Sequence, residues 1–424
     1  MVDPTRRDLL RGGVAALAAT AAAKAGPRGP FLVVPRRRRL RVLGTHVTLR
    51  EEIRRKAEQD LGIDIEFHPG GDAQILQRAS TRPHSFDVFE QWSNTIRVLW
   101  HAEAIQGLDV ARIEAWDEVS DLTKVGRIQA GARIGRGDAP HKLLHVQPDG
   151  SLGTAASDRV SFLPYVHNVD SFGYNAEHVD EGEPYRTESW GWLLDERNHG
   201  RVALANEPTI GLFDAALAVE ARGLMKFGDL GAMTRDEVDR LFDILVEKKR
   251  QGHFYGVWRS VPQSVQLMRD HRVVIESMFS PAVAELRAGG TPVHYAAPRE
   301  GYRAWHGVMC LSSQVSEEAR DAAYEFMNWW LSGWAGACIA RQGYYISVPD
   351  RARAFLSPAE WSYWYEGLPA QQDLPGPDGR TVARRGERRR GGSYQERFSN
   401  IAVWNTVMDT YEHSMLRWSE FLSA

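Results

Sequence analysis

The pattern of hydrophobic and polar positions predicts a β-α-β unit near the start of the chain. An apolar run at 40–43 predicts a strand. Apolar residues then recur every four positions over 49–61, after a capping box at 48–51, which predicts a helix that ends at Gly62. The alternation I-D-I-E-F at 63–67 predicts a second strand. A strand, a helix and a strand in this order indicate a parallel sheet covered by helices.

The same pattern continues along the chain and predicts a second α/β block. Further apolar runs that end in polar loops lie at 85–90, 161–175, 201–208 and 270–279. A capping box at 234–237 and a capping serine, Ser316, predict the starts of two helices. The segment 400–422 predicts a C-terminal helical region with Trp404 and Trp418 in the core. We therefore expect two α/β blocks followed by a long helical region.

The N-terminus has the layout of an export signal. A basic leader precedes an apolar run of small residues at 12–23, which ends in A-K-A followed by glycine. The run is too short to cross a bilayer. The paired Arg6 and Arg7 in T-R-R-D-L-L predict the twin-arginine route. We predict a signal peptide at 1–25, a disordered stretch at 26–35 and a periplasmic location.

Composition narrows the class of protein further. The chain has 424 residues, 43% of them hydrophobic, and a formal net charge of −3. It is long enough for more than one folding unit, and its charge does not favour nucleic acid as a partner. The chain has two cysteines, Cys310 and Cys338. They could form a disulfide in an oxidising compartment, and the alternative is that both are buried thiols.

One segment departs from the surrounding pattern. Residues 374–392 are rich in glycine, proline and arginine. This composition predicts an exposed loop or insertion. A basic run could also hold an anionic surface, although a solvated loop is the simpler prediction.

Motifs for catalysis, metals and cofactors are missing from the sequence, which has no phosphate-binding G-x-x-x-x-G-K-[ST], no H-E-x-x-H and no G-x-S-x-G. Instead, aromatic and polar residues recur in loops at the ends of predicted strands. Such segments are E-Q-W-S-N, P-Y-V-H-N, N-E-P-T, G-V-W-R-S, S-M-F-S, R-A-W-H-G and G-Y-Y-I-S. Ligands of open α/β sheets collect at the carboxyl ends of strands, and aromatic faces suit small organic molecules and cations. The pattern predicts a ligand-binding cleft rather than an enzyme.

These segments carry a resemblance to a known family. Over most of 40–350 the chain resembles the periplasmic solute-binding proteins of ABC transporters, in the branch of the spermidine/putrescine binders. The resemblance is carried by S-F-D-V-F-E-Q-W-S-N, S-F-L-P-Y-V-H-N-V-D-S-F-G-Y-N, H-G-R-V-A-L-A-N-E-P-T, H-R-V-V-I-E-S-M-F, G-Y-R-A-W-H-G-V-M-C-L-S-S and A-R-Q-G-Y-Y-I-S-V-P-D. It implies an α/β fold of two lobes, each a mostly parallel sheet covered by helices, joined by two crossing hinge strands. Lobe one would be 36–165 and 304–424, and lobe two would be 166–303. It also implies a protein that captures a small molecule and delivers it to permease subunits in the membrane, and we expect a monomer.

The resemblance also implies a set of ligand-binding residues in the cleft. They are Thr45, His46, Gln91, Trp92, Ser93, His167, Asn168, Glu207, Thr209, Trp258, Phe279, Trp305, His306 and Tyr345. Polyamine binders use several carboxylates to balance buried ammonium groups. Here Glu207 matches one acidic position, whereas Ile210 and Gly307 stand where further acids are expected. We therefore expect a small organic amine or a zwitterion rather than spermidine, and no metal or cofactor.

Two alternatives remain at this point. Tryptophan faces also stack on sugar rings, so a carbohydrate receptor is one of them, although sugar sites usually add more polar side chains. The other is a secreted enzyme, because thiamine-degrading enzymes resemble this fold and use a cysteine in the cleft as nucleophile. Cys310 lies in a predicted strand and Cys338 in a predicted helix, and neither is in a loop at a strand end.

Overall fold

The computed structural model describes residues 37–424. Its strands are β1 (Arg39–Gly44), β2 (Asp64–Pro69), β3 (Val88–Trp92), β4 (Ile105–Gln106), β5 (Leu108–Asp109), β6 (His145–Val146), β7 (Leu152–Gly153), β8 (Arg159–Val160), β9 (Leu163–Asn175), β10 (Val202–Ala205), β11 (Phe254–Trp258), β12 (Ile275–Met278), β13 (Val293–Tyr295), β14 (Tyr302–Ser312), β15 (Tyr345–Ile346), β16 (Leu374–Pro375), β17 (Thr381–Ala383) and β18 (Ile401–Trp404). Its α-helices are α1 (Glu51–Leu61), α2 (Asp72–Thr81), α3 (Ile96–His101), α4 (Asp121–Lys124), α5 (Pro208–Ala221), α6 (Arg235–Arg250), α7 (Val261–Arg269), α8 (Ser280–Ala288), α9 (Glu317–Leu331), α10 (Trp334–Ala340), α11 (Pro349–Arg353), α12 (Pro358–Trp364), α13 (Tyr394–Phe398) and α14 (Tyr411–Ser423). The predicted signal peptide and the disorder predicted for 26–35 lie outside the described residues.

Two long antiparallel strands connect two parallel groups of strands. The main sheet has the order β11-β10-β12-β9-β14-β3-β1-β2. On one side, β1 pairs in parallel with β2 and β3, and on the other, β10 pairs in parallel with β11 and β12. We call the β1–β3 side the first lobe and the β10–β12 side the second lobe. The predicted α/β fold with two lobes and crossing strands is confirmed.

The strands β9 and β14 make the connection between the lobes. β9 pairs with β14 over 163–170 and then with β12 over 171–174, so a single strand passes from one lobe into the other. All residues of β9 and β14 are buried. The sequence predicted two extended pieces at 161–175, and the structure has one continuous strand.

Local signals in the sequence set several helix boundaries. Gly62 ends α1 with a left-handed φ of 65°, and Thr234 forms the predicted capping box with Glu237 at the start of α6. The capping box predicted at 48–51 is wrong, because α1 begins at Glu51 after Arg50. The Thr48 hydroxyl instead accepts a hydrogen bond from the buried hydroxyl of Tyr165.

The end of the chain divides differently from the prediction. The segment 401–404 is a strand beside β14, and only 411–423 is helical. The helix α14 packs on α6, and Trp418 lies in the hydrophobic core of the second lobe. The last helix therefore lies with the second lobe, whereas the sequence placed all of 304–424 with the first. Trp404 and Trp418 are buried, as predicted.

The basic segment 374–392 is only partly a solvated loop. Its tip at 377–380 is exposed, in agreement with the prediction. The prediction is wrong for Arg389, which is 8% exposed and donates a hydrogen bond to the carbonyl oxygen of Gly343. The chain after β17 turns inward, where Arg389 lies over the ring of Trp364 in α12.

The two cysteines are free thiols. Cys310 is buried in β14, and Cys338 is half-buried in α10. Burial raises the pKa of both thiols, so neither is activated as a thiolate. Within residues 37–424, no helix has the length and apolar character needed to span a bilayer.

Candidate ligand-binding cleft

A cavity of about 530 Å³ opens between the carboxyl ends of the two groups of parallel strands. The first lobe contributes the loops after β1 and β2 and the end of β3. The second lobe contributes the ends of β10, β11 and β12. Asp170 of β9 and Trp305 of β14, the two crossing strands, also line the cavity. Both lobes and both connecting strands therefore meet at one cavity, where an open α/β sheet binds ligands.

Three aromatic rings form the wall on the side of the first lobe. The rings of Trp92 and Trp305 contact each other edge to face, with centroids 4.7 Å apart. Tyr344 packs against Trp305 at 5.4 Å. The indole nitrogens of the two tryptophans donate to carboxylates, Trp92 to Asp72 at 3.1 Å and Trp305 to Asp170 at 2.8 Å. These hydrogen bonds fix the ring planes and leave aromatic surface toward the cavity.

A second aromatic pair faces the cavity from the second lobe. Trp258 at the end of β11 and Phe279 after β12 contact each other edge to face at 5.0 Å. The indole of Trp258 donates to the carbonyl oxygen of Ser277 at 3.0 Å, which holds the ring against the sheet. The cavity thus has aromatic surface on both lobes.

Asp72 is the acidic group that the first lobe presents. It is the first residue of α2 and follows two glycines, Gly70 and Gly71, at the end of β2. Residue 70 is glycine because the turn packs closely on α2: a Cβ at this position would lie only 2.7 Å from a side-chain carbon of Ile75 and would clash with it. Burial raises the pKa of Asp72, and the hydrogen bond from Trp92 opposes this change.

Glu207 is the acidic group that the second lobe presents. It precedes α5, and its carboxylate accepts a hydrogen bond from the Thr209 hydroxyl at 3.1 Å. Burial raises its pKa, and the negative charge of Asp72 raises it further, so the two carboxylates repel each other across the cavity. No cationic side chain of the described residues pairs with either carboxylate.

The third acid, Asp170, belongs to a buried network in the crossing strands. It lies 3.7 Å from Arg303 and accepts hydrogen bonds from Trp305 and Tyr295. Arg303 also pairs with Asp214 of α5 at 2.7 Å, and burial raises the pKa of Asp214 to about 6. Because Asp170 accepts these hydrogen bonds and shares Arg303 with Asp214, it orients Trp305 rather than offering a free carboxylate.

Half of the predicted ligand-binding residues line this cavity. They are Thr45, His46, Trp92, Glu207, Trp258, Phe279 and Trp305. Two others are one hydrogen bond away: Gln91 donates to the backbone oxygen of Asp72, and Thr209 donates to Glu207. Ser93 is buried in the turn after β3 and does not reach the cavity.

The remaining predicted residues lie inside the protein. His167, His306 and Tyr345 are fully buried, and His167 packs between the other two rings. Burial lowers the pKa of His306 to about 4, so its ring is neutral. Its Nε2 forms a hydrogen bond with the Thr123 hydroxyl at 2.7 Å. Asn168 donates to Ser280 at 3.0 Å. His167 and His306 are therefore core positions of the crossing strands, whereas Asp170 and Trp305 of the same strands line the cleft.

The prediction did not include the other residues of the lining, among them Tyr344, Asp72, Asp170, Asn206, Arg50 and Arg259. Tyr344 lines the cavity while its predicted neighbour Tyr345 points into the core. Asp72 follows a correctly predicted strand, so the rule of polar residues at strand ends would have found it in H-P-G-G-D. Asp170 lies within a strand, and the sequence gives no such signal for it. The expectation of a single carboxylate is therefore wrong, since three line the cavity.

Two groups of possible metal ligands lie elsewhere. Glu177, His178 and His271 form one group, and Glu196, His199 and His253 form the other. None of these residues lines the cleft.

The cavity lies between two lobes joined by crossing strands, an arrangement that suits a protein that binds a small molecule. The chain belongs to the bacterial extracellular solute-binding proteins, whose family model matches residues 53–366. The substrate-binding protein of a spermidine/putrescine ABC transporter from Streptococcus pneumoniae has a similar structure, with a TM-score of 0.60 and 13% identity over 91% of this chain and 99% of that one. A lipoprotein of Treponema pallidum has a TM-score of 0.63 and 12% identity over 91% and 100% of the two chains. At these identities the likeness establishes the fold.

Proposed function

We propose that this solute-binding protein captures a small organic amine between its lobes and delivers it to an ABC permease in the membrane. The observation that carries the proposal is the pair of carboxylates, Asp72 and Glu207, which face one aromatic-walled cavity from opposite lobes and have no cationic partner. Two buried like charges are costly until a cation lies between them. An ammonium group would remove this repulsion and also contact the ring faces.

The lining carries both signs of charge, because Arg50 and Arg259 line the cavity together with Asp72, Asp170 and Glu207. Asp170 lies 3.7 Å from Arg303, whereas Asp72 and Glu207 have no cationic partner, so two carboxylates remain for the ligand. A compact diamine would satisfy both, and a monoamine or quaternary amine would satisfy one. The argument from a single acid against a diamine no longer holds. The neighbour from Streptococcus pneumoniae is a spermidine/putrescine substrate-binding protein, and its fold supports the same class of ligand here.

The remaining parts of the proposal follow from the class of protein. Export by the twin-arginine route would bring an already folded protein to the periplasm, and the basic N-terminal leader supports this route. We propose that the protein acts as a monomer and binds its ligand without chemical change. Carbohydrates remain the competing class of ligand, because the same ring faces can stack on sugars.

Calorimetric titration with putrescine, γ-aminobutyrate, choline, glycine betaine and maltose tests the proposal. We expect at least one of the amines to bind and maltose not to bind. Each of the variants Asp72→Asn and Glu207→Gln should weaken amine binding about tenfold or more, because a hydrogen bond to a charged group contributes about 1.5–3 kcal/mol. Asp270→Asn, at an exposed acid of the second lobe outside the cleft, should bind as the wild type does. Binding of maltose alone, or amine binding that both cleft variants retain, would disprove the amine proposal.

A further inference from the structure

A small second cavity lies beside the cleft and is lined by arginines. Its volume is about 40 Å³, and it lies between α8 and the chain that follows β17. Four guanidinium groups line it, those of Arg287, Arg389, Arg390 and Arg397, and no aspartate or glutamate does. We call it the arginine cavity.

Two of the four arginines have carboxylate partners outside the cavity. Arg287 pairs with Glu387. Arg390 pairs with Glu188 at 2.8 Å. Their charges are therefore balanced, and only the other two need a further partner.

Neither Arg389 nor Arg397 forms a direct ion pair with a carboxylate among the described residues, and Arg397 acts on the buried Asp170 only at longer range. Arg389 is 8% exposed and donates to the Tyr345 hydroxyl and to the Gly343 carbonyl oxygen, the latter at 3.0 Å. Arg397 is fully buried and donates to the carbonyl oxygen of Arg390 at 2.9 Å, and its Nε has no hydrogen-bond partner. Carbonyl oxygens and hydroxyls solvate these cations but do not neutralise them.

Aromatic faces are the other neighbours of these two cations. Arg389 lies 5.2 Å from the ring centroids of both Tyr345 and Trp364, and Arg397 lies 4.8 Å from that of Tyr302. Burial and the charge of Arg397 lower the pKa of Arg389, whereas for Arg397 the effect of burial is outweighed by nearby tyrosine hydroxyls, which raise its pKa. Two buried positive charges thus repel each other at a cavity that contains no negative group, and an anion is the partner that such a site lacks.

The size and shape of the site indicate the class of anion. A volume of about 40 Å³ admits one small ion and excludes an organic ligand of the size that fits the main cleft. Guanidinium groups match the planar edges of oxyanions with paired donors. Gln342 also lines the cavity, and its buried side-chain nitrogen has no partner among the described residues. We propose that the arginine cavity binds a small inorganic oxyanion such as phosphate or sulfate.

The bound ion would act on the main cleft through one short segment. Gln342 lines both cavities, and Tyr344, two residues on, packs on Trp305 in the cleft. Gly343 lies between Gln342 and Tyr344 in the chain, and its carbonyl oxygen accepts a hydrogen bond from Arg389. An ion that fixes Arg389 would therefore fix the segment that carries Tyr344, without being part of the amine site.

Thermal unfolding of the ligand-free protein tests the proposal. Sodium sulfate, sodium phosphate and sodium chloride are each added at millimolar concentrations, with sodium gluconate keeping the ionic strength constant. We expect a saturable rise in the unfolding temperature with sulfate or phosphate. Arg389→Gln should lose this rise, and Arg385→Gln should keep it, because Arg385 is an exposed residue of the same segment and lines neither the arginine cavity nor the cleft.

Several results of this experiment would contradict the proposal, and each can be told apart from the others. No response of the wild type, a response that grows without saturation, or an equal response of Arg389→Gln would overturn the proposal. A saturable response to chloride alone would overturn the assignment to an oxyanion. If Arg389→Gln does not fold, Arg397→Gln and a direct calorimetric titration of the wild type with sulfate decide the question, because both should follow the same prediction.

Discussion

At the scale of single residues, burial decides which acids are charged. Glu90 of β3 lies directly below the cleft, fully buried, and accepts a hydrogen bond from the backbone N–H of Thr45. Its other oxygen contacts the hydroxyl of Tyr165, and that hydroxyl donates to Thr48. Glu90 is the acceptor in its contact with Tyr165. Burial raises its pKa to about 7, and the hydrogen bonds from Tyr165 and Thr45 oppose this change.

Glu90 makes stability depend on pH in a defined direction. Because its pKa in the folded protein is raised from an ordinary value of 4.5 to about 7, the folded state binds the proton more tightly. Its contribution to stability is complete below pH 4.5 and is lost as the pH rises through about 7. At about 1.4 kcal/mol per pKa unit, the loss is about 3 kcal/mol.

The variant Glu90→Gln keeps the side chain neutral at every pH. We expect its free energy of unfolding, measured by urea denaturation, to fall less than that of the wild type between about pH 5 and pH 8. A smaller slope should remain, because Asp214, with a pKa of about 6, titrates in the same window. The exposed control Glu247→Gln should keep the slope of the wild type. An unchanged slope in Glu90→Gln would show that Glu90 is ionised in the folded protein.

At the scale of secondary structure elements, the last helix supports the cleft. Trp418 of α14 is 2% exposed, and its indole nitrogen donates to the side-chain oxygen of Asn206 at 2.8 Å. Asn206 lines the cavity next to Glu207. The C-terminal helix is thereby linked to the ligand site through one hydrogen bond.

Replacing Trp418 by phenylalanine separates this hydrogen bond from the packing of the helix. We expect Trp418→Phe to bind the amine several-fold more weakly, since a hydrogen bond contributes about 0.5–1.5 kcal/mol. Calorimetry measures the change. Trp361→Phe is the matched control, because Trp361 donates to Glu366 outside the cleft and its loss should leave affinity unchanged. Equal affinities of Trp418→Phe and the wild type would mean that Asn206 does not contribute to binding.

The elements were predictable from the sequence where the signal was local. The capping box at Thr234 and the left-handed Gly62 depend on neighbouring residues only, and both were found. Trp92 and Glu207 were placed near the cavity because each lies at the end of a recognisable strand. His167 and His306 lie in the middle of the crossing strands, where coverage by other parts of the chain decides exposure, and the sequence does not show this coverage. Arg389 was missed for the same reason.

At the scale of the whole molecule, binding should close the two lobes. The unpaired charges of Asp72 and Glu207 oppose closure without a ligand, and an amine between them favours the closed state. Trp92, Trp258 and Trp305 lie in the cleft, so closure should also change the intrinsic fluorescence.

Small-angle scattering with and without the amine identified by calorimetry tests closure. We expect a smaller radius of gyration with ligand and, at about 100 times the dissociation constant, about 2.7 kcal/mol of added stability. The double variant of Asp72→Asn and Glu207→Gln should show neither effect at that concentration. A stabilised wild type with an unchanged radius would show that the ligand binds without closure.

The position of β14 in the sheet has a consequence for synthesis of the protein. This strand lies between β9 and β3, so the sheet of the first lobe is complete only when residues 302–312 are available. Until then the nascent chain exposes the edges of β3 and β9, which are the sites where unfinished sheets pair wrongly. Most of the polypeptide must therefore leave the ribosome before the sheet that contains the earliest strands can be completed. Fragments that stop before residue 302 should aggregate rather than fold.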